Sequence, residues 1–218
     1  MLHTDLICKL RNYKLTWGNG LIDYDGLDPI DELRRCETFL SFLETNPRAF
    51  ERSLEVGHVT ASALITSPDY KKLVLLLHKK LNMWIQLGGH ADGNPLTFDV
   101  SKKEASEEAG INEFDLVAYH QVLFTPLTSE LSNMNALPFD IDIHTIPARK
   151  DEPEHLHYDV RYLFMADPEK TSLRKNYESK ALRWLSLDEA RRLTDEDSMR
   201  RQFHKLEAIA AAMKARKN

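Results

Sequence analysis

The stretch GGHADGNPLTFDVSKKEASEEAGI, residues 88–111, decides the fold more than any other part of the sequence. It predicts a glycine turn, a polar loop and then a helix from about Leu96 to Ala109. Gly110 stands directly after that helix, where glycine commonly ends helices. An apolar stripe along the predicted helix can pack against a sheet.

Three glutamates share one face of this predicted helix. Glu104, Glu107 and Glu108 stand at positions i, i+3 and i+4, so their carboxylates are neighbours that repel one another. A hard divalent cation such as Mg²⁺ or Mn²⁺ reverses that effect, because it takes oxygen ligands. The preceding glycine turn lets backbone groups approach a metal or a phosphate closely. Glutamates alone are typical of a solvated face, but together with this turn they favour a metal site.

The spacing resembles the sequence box of the Nudix hydrolase family. That box runs glycine, five residues, glutamate, seven residues, arginine, glutamate, an apolar residue, any residue, two glutamates, any residue, glycine and an apolar residue. It aligns here from Gly89 to Ile111. The resemblance covers residues 57 to about 195 and implies an α/β fold, a Nudix-like α/β/α sandwich around a mixed β-sheet.

The resemblance also implies an enzyme. It would be a pyrophosphohydrolase that cleaves a phosphoanhydride bond in a nucleoside diphosphate linked to another group, with Mg²⁺ or Mn²⁺ as cofactor. In the family, glutamates matching Glu104, Glu107 and Glu108 bind metal or activate water, and the carbonyl matching Gly89 is often a further ligand. The alternative is a Nudix-fold ligand-binding or sensor module without turnover. A structural or interaction protein fits the helical ends but not the box.

Two positions depart from the box. Pro95 stands where the first glutamate is usual, and Lys103 stands where arginine is usual. In the family that pair typically forms an ion pair that supports the box. Because both members of the pair are replaced here, we interpret the change as a different structural support for the box rather than as a loss of catalysis. We expect Asp92 or Asp99 to supply the acceptor for Lys103.

A second polar cluster lies on two predicted strands, 139–146 and 155–165. Residues that alternate along a strand share a face. The polar faces carry Asp140, Asp142 and His144 on the first strand, and His155, His157, Asp159 and Arg161 on the second. We expect a substrate-binding pocket floor beneath the glutamate helix, with Arg161 contacting phosphate. A second metal site made of His155, His157 and Asp159 is one alternative, and a solvated sheet face is another.

Several polar residues outside these clusters are also candidates. Glu178 precedes a short predicted strand at 182–185. Nudix proteins often place a downstream acidic residue near the metals, so Glu178 is a candidate substrate-binding residue, although a loop carboxylate explains it equally well. His58, His78 and His120 occur singly and are interpreted as strand or turn residues.

The remaining segments complete a three-part organisation. Residues 1–56 form a helical N-terminal extension, in which Asp28 caps a helix that begins at Pro29. Residues 57–195 form the Nudix hydrolase domain, and residues 196–218 form a C-terminal helix packed on it. Further strands are predicted at 59–66, 72–77, 83–87 and 115–124.

Composition excludes several other classes of protein. The 218 residues suffice for one large domain with a core, and a net charge of -5 argues against a nucleic-acid partner. No apolar run approaches the roughly 20 residues that span a bilayer, and the start lacks a secretory signal. Two cysteines are too few for a disulfide framework. We therefore expect a cytoplasmic protein with no membrane partner, and the family resemblance implies a small phosphorylated substrate. The family resemblance also allows a homodimer.

Overall fold

The computed structural model describes residues 3–17, 26–123, 136–149 and 152–217. These residues form six helices: α1 (Thr4–Thr16), α2 (Pro29–Thr45), α3 (Thr97–Ala109), α4 (Tyr119–Leu123), α5 (Leu187–Leu193) and α6 (Asp197–Lys217). They also form eight strands: β1 (Gly57–Thr66), β2 (Lys72–His78), β3 (Trp84–Ile85), β4 (Leu87–His90), β5 (Asp115–Leu116), β6 (Asp140–Ile146), β7 (His155–Met165) and β8 (Ser179–Ser186).

One mixed sheet holds these eight strands. Its main path runs β3-β2-β1-β7-β5, while β4 pairs with β1, β6 with β7 and β8 with β2. Strands β1 and β7 are parallel from the pair Gly57–Leu156 to the pair Thr66–Met165. The other pairings between these strands are antiparallel. The α/β fold with a mixed sheet that the sequence predicted is confirmed.

Helices cover both faces of the sheet. On one face, Phe42 of α2 stacks on Tyr158 of β7 with ring centroids 3.7 Å apart. On the same face, Thr97 of α3 is hydrogen-bonded to the Tyr162 hydroxyl at 2.7 Å. Helix α6 covers the opposite face, where it contacts Arg161 of β7. The layers therefore form the α/β/α sandwich that the sequence predicted.

Local signals in the sequence set the ends of the helices. The Asp28 side chain accepts a hydrogen bond of 2.8 Å from the Ile30 amide, and Pro29 takes the first helical position, as predicted. Gly110 ends α3 with φ 69°, a left-handed conformation that glycine adopts without steric cost. The predicted C-terminal helix is also confirmed, since α6 runs from 197 to 217.

A continuous hydrophobic core joins the N-terminal helices to the sheet. Leu10 of α1 and Phe39 of α2 belong to the same buried cluster as Ile65 of β1 and Phe164 of β7. Each is fully buried, which contributes about 1.5–3 kcal/mol per side chain of this kind. Among the described helices, none is long and apolar enough to cross a membrane.

One predicted strand is wrong over most of its length. The sequence predicted a strand at 115–124, but β5 ends at Leu116 and helix α4 begins at Tyr119. The final residue of that prediction lies outside the described part of the chain. The Tyr119 ring is buried and stacks on Trp17, and its hydroxyl donates to the Pro138 carbonyl. These contacts with distant residues turn the chain away from the sheet.

Candidate functional site

A cavity of about 940 Å³ collects much of the polar chemistry that the sequence indicated. Its walls come from β1, β4, β6, β7 and α3, and from the residues that precede β8. The candidate residues that line it are Gly89, Glu104, Glu107, Glu108, His144, His155, His157, Asp159 and Glu178. The glutamate helix and most of the strand cluster therefore meet in one place.

The three glutamates of α3 lie in different environments. Glu107 is exposed, Glu104 is partly buried and Glu108 is only 4% exposed. Burial raises the pKa of Glu108 to about 8 against the opposing effect of a hydrogen bond from Gly88, and the neighbouring carboxylates add to the rise. Burial also raises the pKa of Glu104, which Lys103 partly offsets. The site thus disfavours clustered negative charge unless a cation joins it.

Two glycines hold these carboxylates against the backbone of β4. The Gly88 amide donates a hydrogen bond of 2.8 Å to Oε2 of Glu108. A Cβ built on Gly89 would lie 2.6 Å from the carboxyl carbon of Glu104, so only glycine leaves that carboxylate beside the backbone. The cradle and its oxygen donors fit Mg²⁺ or Mn²⁺. The residues that would hold the ion are Gly89, Glu104, Glu107 and Glu108.

Lys103 has other partners than the sequence suggested. Its Nζ lies 3.1 Å from a carboxylate oxygen of Glu107 and 3.4 Å from one of Glu104. The expectation that Asp92 or Asp99 accepts from Lys103 is therefore wrong. The i, i+4 spacing along α3 brings the lysine directly to Glu107. In this structure the Lys103 ammonium is the counter-ion of two glutamates.

A different ion pair braces the loop that leads into α3. Arg52 donates from two nitrogens to both carboxylate oxygens of Asp92, in the same loop as Pro95. The two side chains are 56% and 53% exposed, so the pair contributes about 0–1 kcal/mol. Both residues line the cavity and place a guanidinium near the glutamates.

The polar face of the sheet is ordered into three rows, because β6, β7 and β1 are in register. Across these strands the rows are His144–His157–His58, Asp142–Asp159–Thr60 and Asp140–Arg161–Ser62. The prediction that the polar residues of each strand share a face is confirmed by this register. The histidine row borders the cavity, while the Arg161 row lies beneath α6.

Arg161 does not line the cavity, so the prediction that Arg161 contacts phosphate is wrong. The residue is 2% exposed, and its guanidinium lies 2.7 Å from Asp159, 3.0 Å from Asp140 and 3.2 Å from Asp142. Ser198 of α6 covers it at 3.2 Å. Because these partners use the guanidinium donors, none is directed at a ligand. Asp142 takes part in the same ion pairs and does not line the cavity. The prediction that Asp142 contacts the substrate is therefore also wrong.

This buried network is structural and fastens α6 to the sheet. Arg201 and Lys205 of α6 lie 2.9 Å and 2.6 Å from Asp140. Lys205 also lies 3.1 Å from Glu32 of α2. Burial by itself would raise the pKa of Asp140, but the cations Arg201, Lys205 and Arg161 outweigh it and hold that pKa well below its usual range. The network therefore joins helices α2 and α6 to strand β6.

Histidines gather where the polar face meets the cavity. The histidine cluster consists of His58, His90, His144, His155 and His157, whose neighbouring ring centroids lie 4.9 to 5.4 Å apart. His58 was interpreted as a lone strand residue, and His90 was not singled out. The pairing of β1 with β7 reveals His58 and the pairing of β1 with β4 reveals His90, and no local pattern in the sequence shows either pairing.

Asp159 stands outside the histidine cluster. It accepts hydrogen bonds from Thr60 at 3.0 Å and Ser62 at 2.9 Å, besides its ion pair with Arg161. Its oxygens are thus already bound to neighbouring strands. The alternative metal site made of His155, His157 and Asp159 is therefore wrong.

Glu178 lies close to the glutamates of α3. Its negative charge raises the pKa of Glu104 and of Glu108, and its side chain lines the same cavity. Its backbone carbonyl accepts a hydrogen bond of 2.8 Å from the Lys79 amide, which fixes this segment beside the end of β2. Glu178 therefore adds a further carboxylate to the cavity beside Glu104 and Glu108.

No protein-family model and no curated protein matches the chain. Among solved structures, the chain is similar to a NUDIX family hydrolase from Clostridium perfringens, with 27% identity over 71% of this chain and 97% of that one, and a TM-score of 0.48. It is also similar to a C. elegans Ap4A hydrolase in a binary complex, with 18% identity, 70% and 97% coverage and a TM-score of 0.45. The E. coli dihydroneopterin triphosphate pyrophosphohydrolase has 14% identity, 69% and 94% coverage and a TM-score of 0.47. The structural neighbours of this chain are Nudix hydrolases, the family that its residues 89–111 resemble.

Proposed function

We propose that this protein is a Nudix-type pyrophosphohydrolase. It hydrolyses a phosphoanhydride bond in a nucleoside diphosphate linked to another group, with Mg²⁺ or Mn²⁺ as cofactor. The observation that carries the proposal is the packing of Glu104 and Glu108 against two backbone glycines at the wall of a large cavity. Residues 57–195 form the catalytic domain of this proposal, with 1–56 and 196–218 as helical flanks. A homodimer and a cytoplasmic location stay predictions.

The carboxylates are prepared to receive a cation. When bound, a divalent cation neutralises phosphate oxygens and lowers the pKa of an attacking water. The hydrogen bond from Gly88 occupies one oxygen of Glu108 and fixes its side chain, which leaves the other oxygen to a cation or to the proton of a water. Lys103 is 60% exposed on a flexible stem, so its ammonium can leave Glu104 and Glu107 when a cation enters.

Contacts to phosphate come from the exposed side of the cavity. Arg161 is enclosed by carboxylates, but Lys79, Lys80, Arg52 and Arg149 line the cavity. Cations along one cleft attract an anionic substrate and offset its charge. We therefore assign phosphate binding to these side chains instead of Arg161.

The sensor alternative is supported by one observation. Lys103 bridges Glu104 and Glu107, so the chain supplies an internal cation where a metal would act. A protein that binds its ligand in this state needs no divalent metal and performs no turnover. Metal dependence and product release together separate the two functions.

A substrate panel tests the proposal directly. The full chain is incubated with nucleoside diphosphate sugars, dinucleoside polyphosphates and nucleoside triphosphates, in Mg²⁺, Mn²⁺ or chelator, and products are separated by chromatography. A phosphate monoester serves as the control, because it contains no phosphoanhydride bond. We expect cleavage of at least one anhydride class that requires metal. Tight binding of a panel member without any cleavage would support the sensor instead.

A further inference from the structure

We propose a second metal site beside the same cavity, formed by His58, His90 and His157 and suited to a transition metal such as Zn²⁺. Each ring offers a nitrogen, and these ligand atoms all lie within 4.8 Å of one another. Imidazole nitrogen suits zinc and its neighbours in the first transition row, whereas Mg²⁺ and Ca²⁺ take oxygen. The proposal does not depend on the hydrolase activity, because it concerns a different donor set.

The strand register brings the three rings together. His58 of β1 and His157 of β7 are partners in the parallel pair, so their side chains leave the sheet side by side. β4 runs antiparallel to β1 and adds His90 from the other side, with its ring centroid 5.1 Å from that of His58. The adjacent Gly89 faces Glu104 on the opposite side of β4. Strand β4 thus separates the histidine site from the glutamates.

Buried nitrogens without partners indicate that the cluster binds something. His58 is 4% exposed, and neither of its ring nitrogens has a hydrogen-bond partner among the described residues. The same holds for Nε2 of His157. Buried polar atoms are nearly always hydrogen-bonded, because they lose water on burial. Lone pairs that converge from neutral imidazoles are satisfied by a metal ion.

The protonation state of the rings fits this role. Burial lowers the pKa of His58 and of His90 to about 4, Arg52 and His155 lower both further, and Asp92 opposes them. Burial thus favours the neutral imidazole, which is the form that binds a metal. A protonated cluster would place several cations on neighbouring rings.

Two further histidines surround the proposed ligands. Nδ1 of His155 lies 2.9 Å from the Pro153 carbonyl, which can only accept, so Nδ1 carries the hydrogen and Nε2 keeps its lone pair. Nδ1 of His144 lies 3.0 Å from the Asp142 carboxylate, the arrangement that orients metal-binding imidazoles in proteins. The His155 ring centroid lies 5.0 Å from that of His58, so His155 borders the three proposed ligands.

Small side-chain rotations close the site. Zinc–nitrogen bonds of about 2.0–2.1 Å in a tetrahedron place neighbouring nitrogens roughly 3.3–3.5 Å apart. One nitrogen of each ring already lies within 4.8 Å of the other two, so the required movement is short. With three protein ligands, a fourth position is left for water or for a phosphate oxygen.

Zinc titration of the full-length chain, purified without a histidine tag and stripped by chelator, tests the proposal. Competition with a chromogenic zinc chelator gives the stoichiometry and affinity. We expect one Zn²⁺ per chain, retained in the double variant Glu107→Gln/Glu108→Gln. Affinity should fall roughly 100-fold or more in His90→Gln and in His157→Gln. His78→Gln is the matched control, since His78 lines the cavity outside the cluster, and it should bind like the wild type.

A second measurement needs no variant. X-ray absorption at the zinc edge of the wild-type complex should show a nitrogen-rich first shell with outer-shell scattering from imidazole rings. A first shell made only of oxygen would overturn the proposal, and so would the absence of Zn²⁺ binding. Zinc binding that disappears in the glutamate double variant but persists in His157→Gln would assign the ion to α3 instead. Each readout is binding, so loss of hydrolysis alone leaves this test unaffected.

Discussion

The Gly88 amide donates a hydrogen bond of 2.8 Å to the Glu108 carboxylate and so ties strand β4 to helix α3. The next residue, Gly89, leaves the Glu104 carboxylate against the backbone, where a Cβ would lie 2.6 Å from it. Two adjacent glycines therefore position two of the three glutamates. Substitutions at these glycines should have different effects.

Gly89→Ala should weaken metal binding more than it lowers stability. Its Cβ would displace the Glu104 carboxylate, the flexible end of a side chain, so we expect metal affinity to fall roughly 10–100-fold. In Gly88→Ala the Cβ would instead lie 2.9 Å from Cα of Ser62, so the backbone must move at a cost of about 1–3 kcal/mol. Mn²⁺ titration and thermal unfolding of both variants check this. Wild-type Mn²⁺ affinity in Gly89→Ala would exclude the glycine cradle from the metal site.

Lys103→Met should strengthen Mg²⁺ binding slightly and leave kcat almost unchanged. The Lys103 ammonium competes with a cation for Glu107 and Glu104, and an exposed ion pair contributes about 0–1 kcal/mol, so the gain is at most about fivefold. Lys102→Met is the control, because Lys102 is also exposed and contacts the Phe98 ring instead. Mg²⁺-dependent kinetics decide the matter. A large loss of kcat in a stable Lys103→Met protein would make Lys103 catalytic.

Local patterns predicted the parts of the site that lie on one element. The glutamate face of α3, its end at Gly110 and the alternation of polar residues along β6 and β7 all follow from short-range geometry. The 3.6-residue and two-residue periods determine which side chains share a face, whatever the rest of the chain does. These expectations were therefore correct in the structure.

Contacts between residues that are distant in the sequence determine the parts of the site that local patterns do not predict. His58 meets His157 only because β1 and β7 run parallel, a pairing that neither strand encodes alone. The strand pattern predicts that Arg161 is available to bind phosphate. In the structure, Ser198 of α6, 37 residues further along the chain, covers it. The sequence pattern gives the face of a strand but not which layer lies on that face. The predicted contact between Arg161 and phosphate is wrong for this reason.

Asp140→Asn should destabilise the fold and reduce its sensitivity to acid. The variant leaves Arg161, Arg201 and Lys205 short of an anion, which costs about 3–5 kcal/mol for a buried partner. The folded pKa of Asp140 is held below its usual range, so its contribution to stability is present above the unfolded pKa of about 3.9 and is lost as pH falls through the folded pKa. Urea unfolding between about pH 5 and pH 2 should therefore show a shallower decline for the variant.

The control for this experiment is Asp195→Asn. Asp195 is 99% exposed at the side chain and pairs with Arg200 on the surface. Its substitution should change the free energy of unfolding little at any pH. Equal acid sensitivity in wild type and Asp140→Asn would contradict a role for the buried network in acid stability.

Steady-state hydrolysis by glutamate variants tests the central claim most directly, namely that α3 carries metal-dependent cleavage of a phosphoanhydride bond. Wild type, Glu107→Gln, Glu108→Gln and the exposed control Glu113→Gln are assayed across Mg²⁺ and Mn²⁺ concentrations, with thermal unfolding measured in parallel. Loss of a metal contact removes several kcal/mol of transition-state stabilisation, so kcat/KM should fall about a thousandfold in the two site variants and stay unchanged in Glu113→Gln. Near-wild-type rates with unaltered metal dependence in Glu107→Gln and Glu108→Gln would contradict the account.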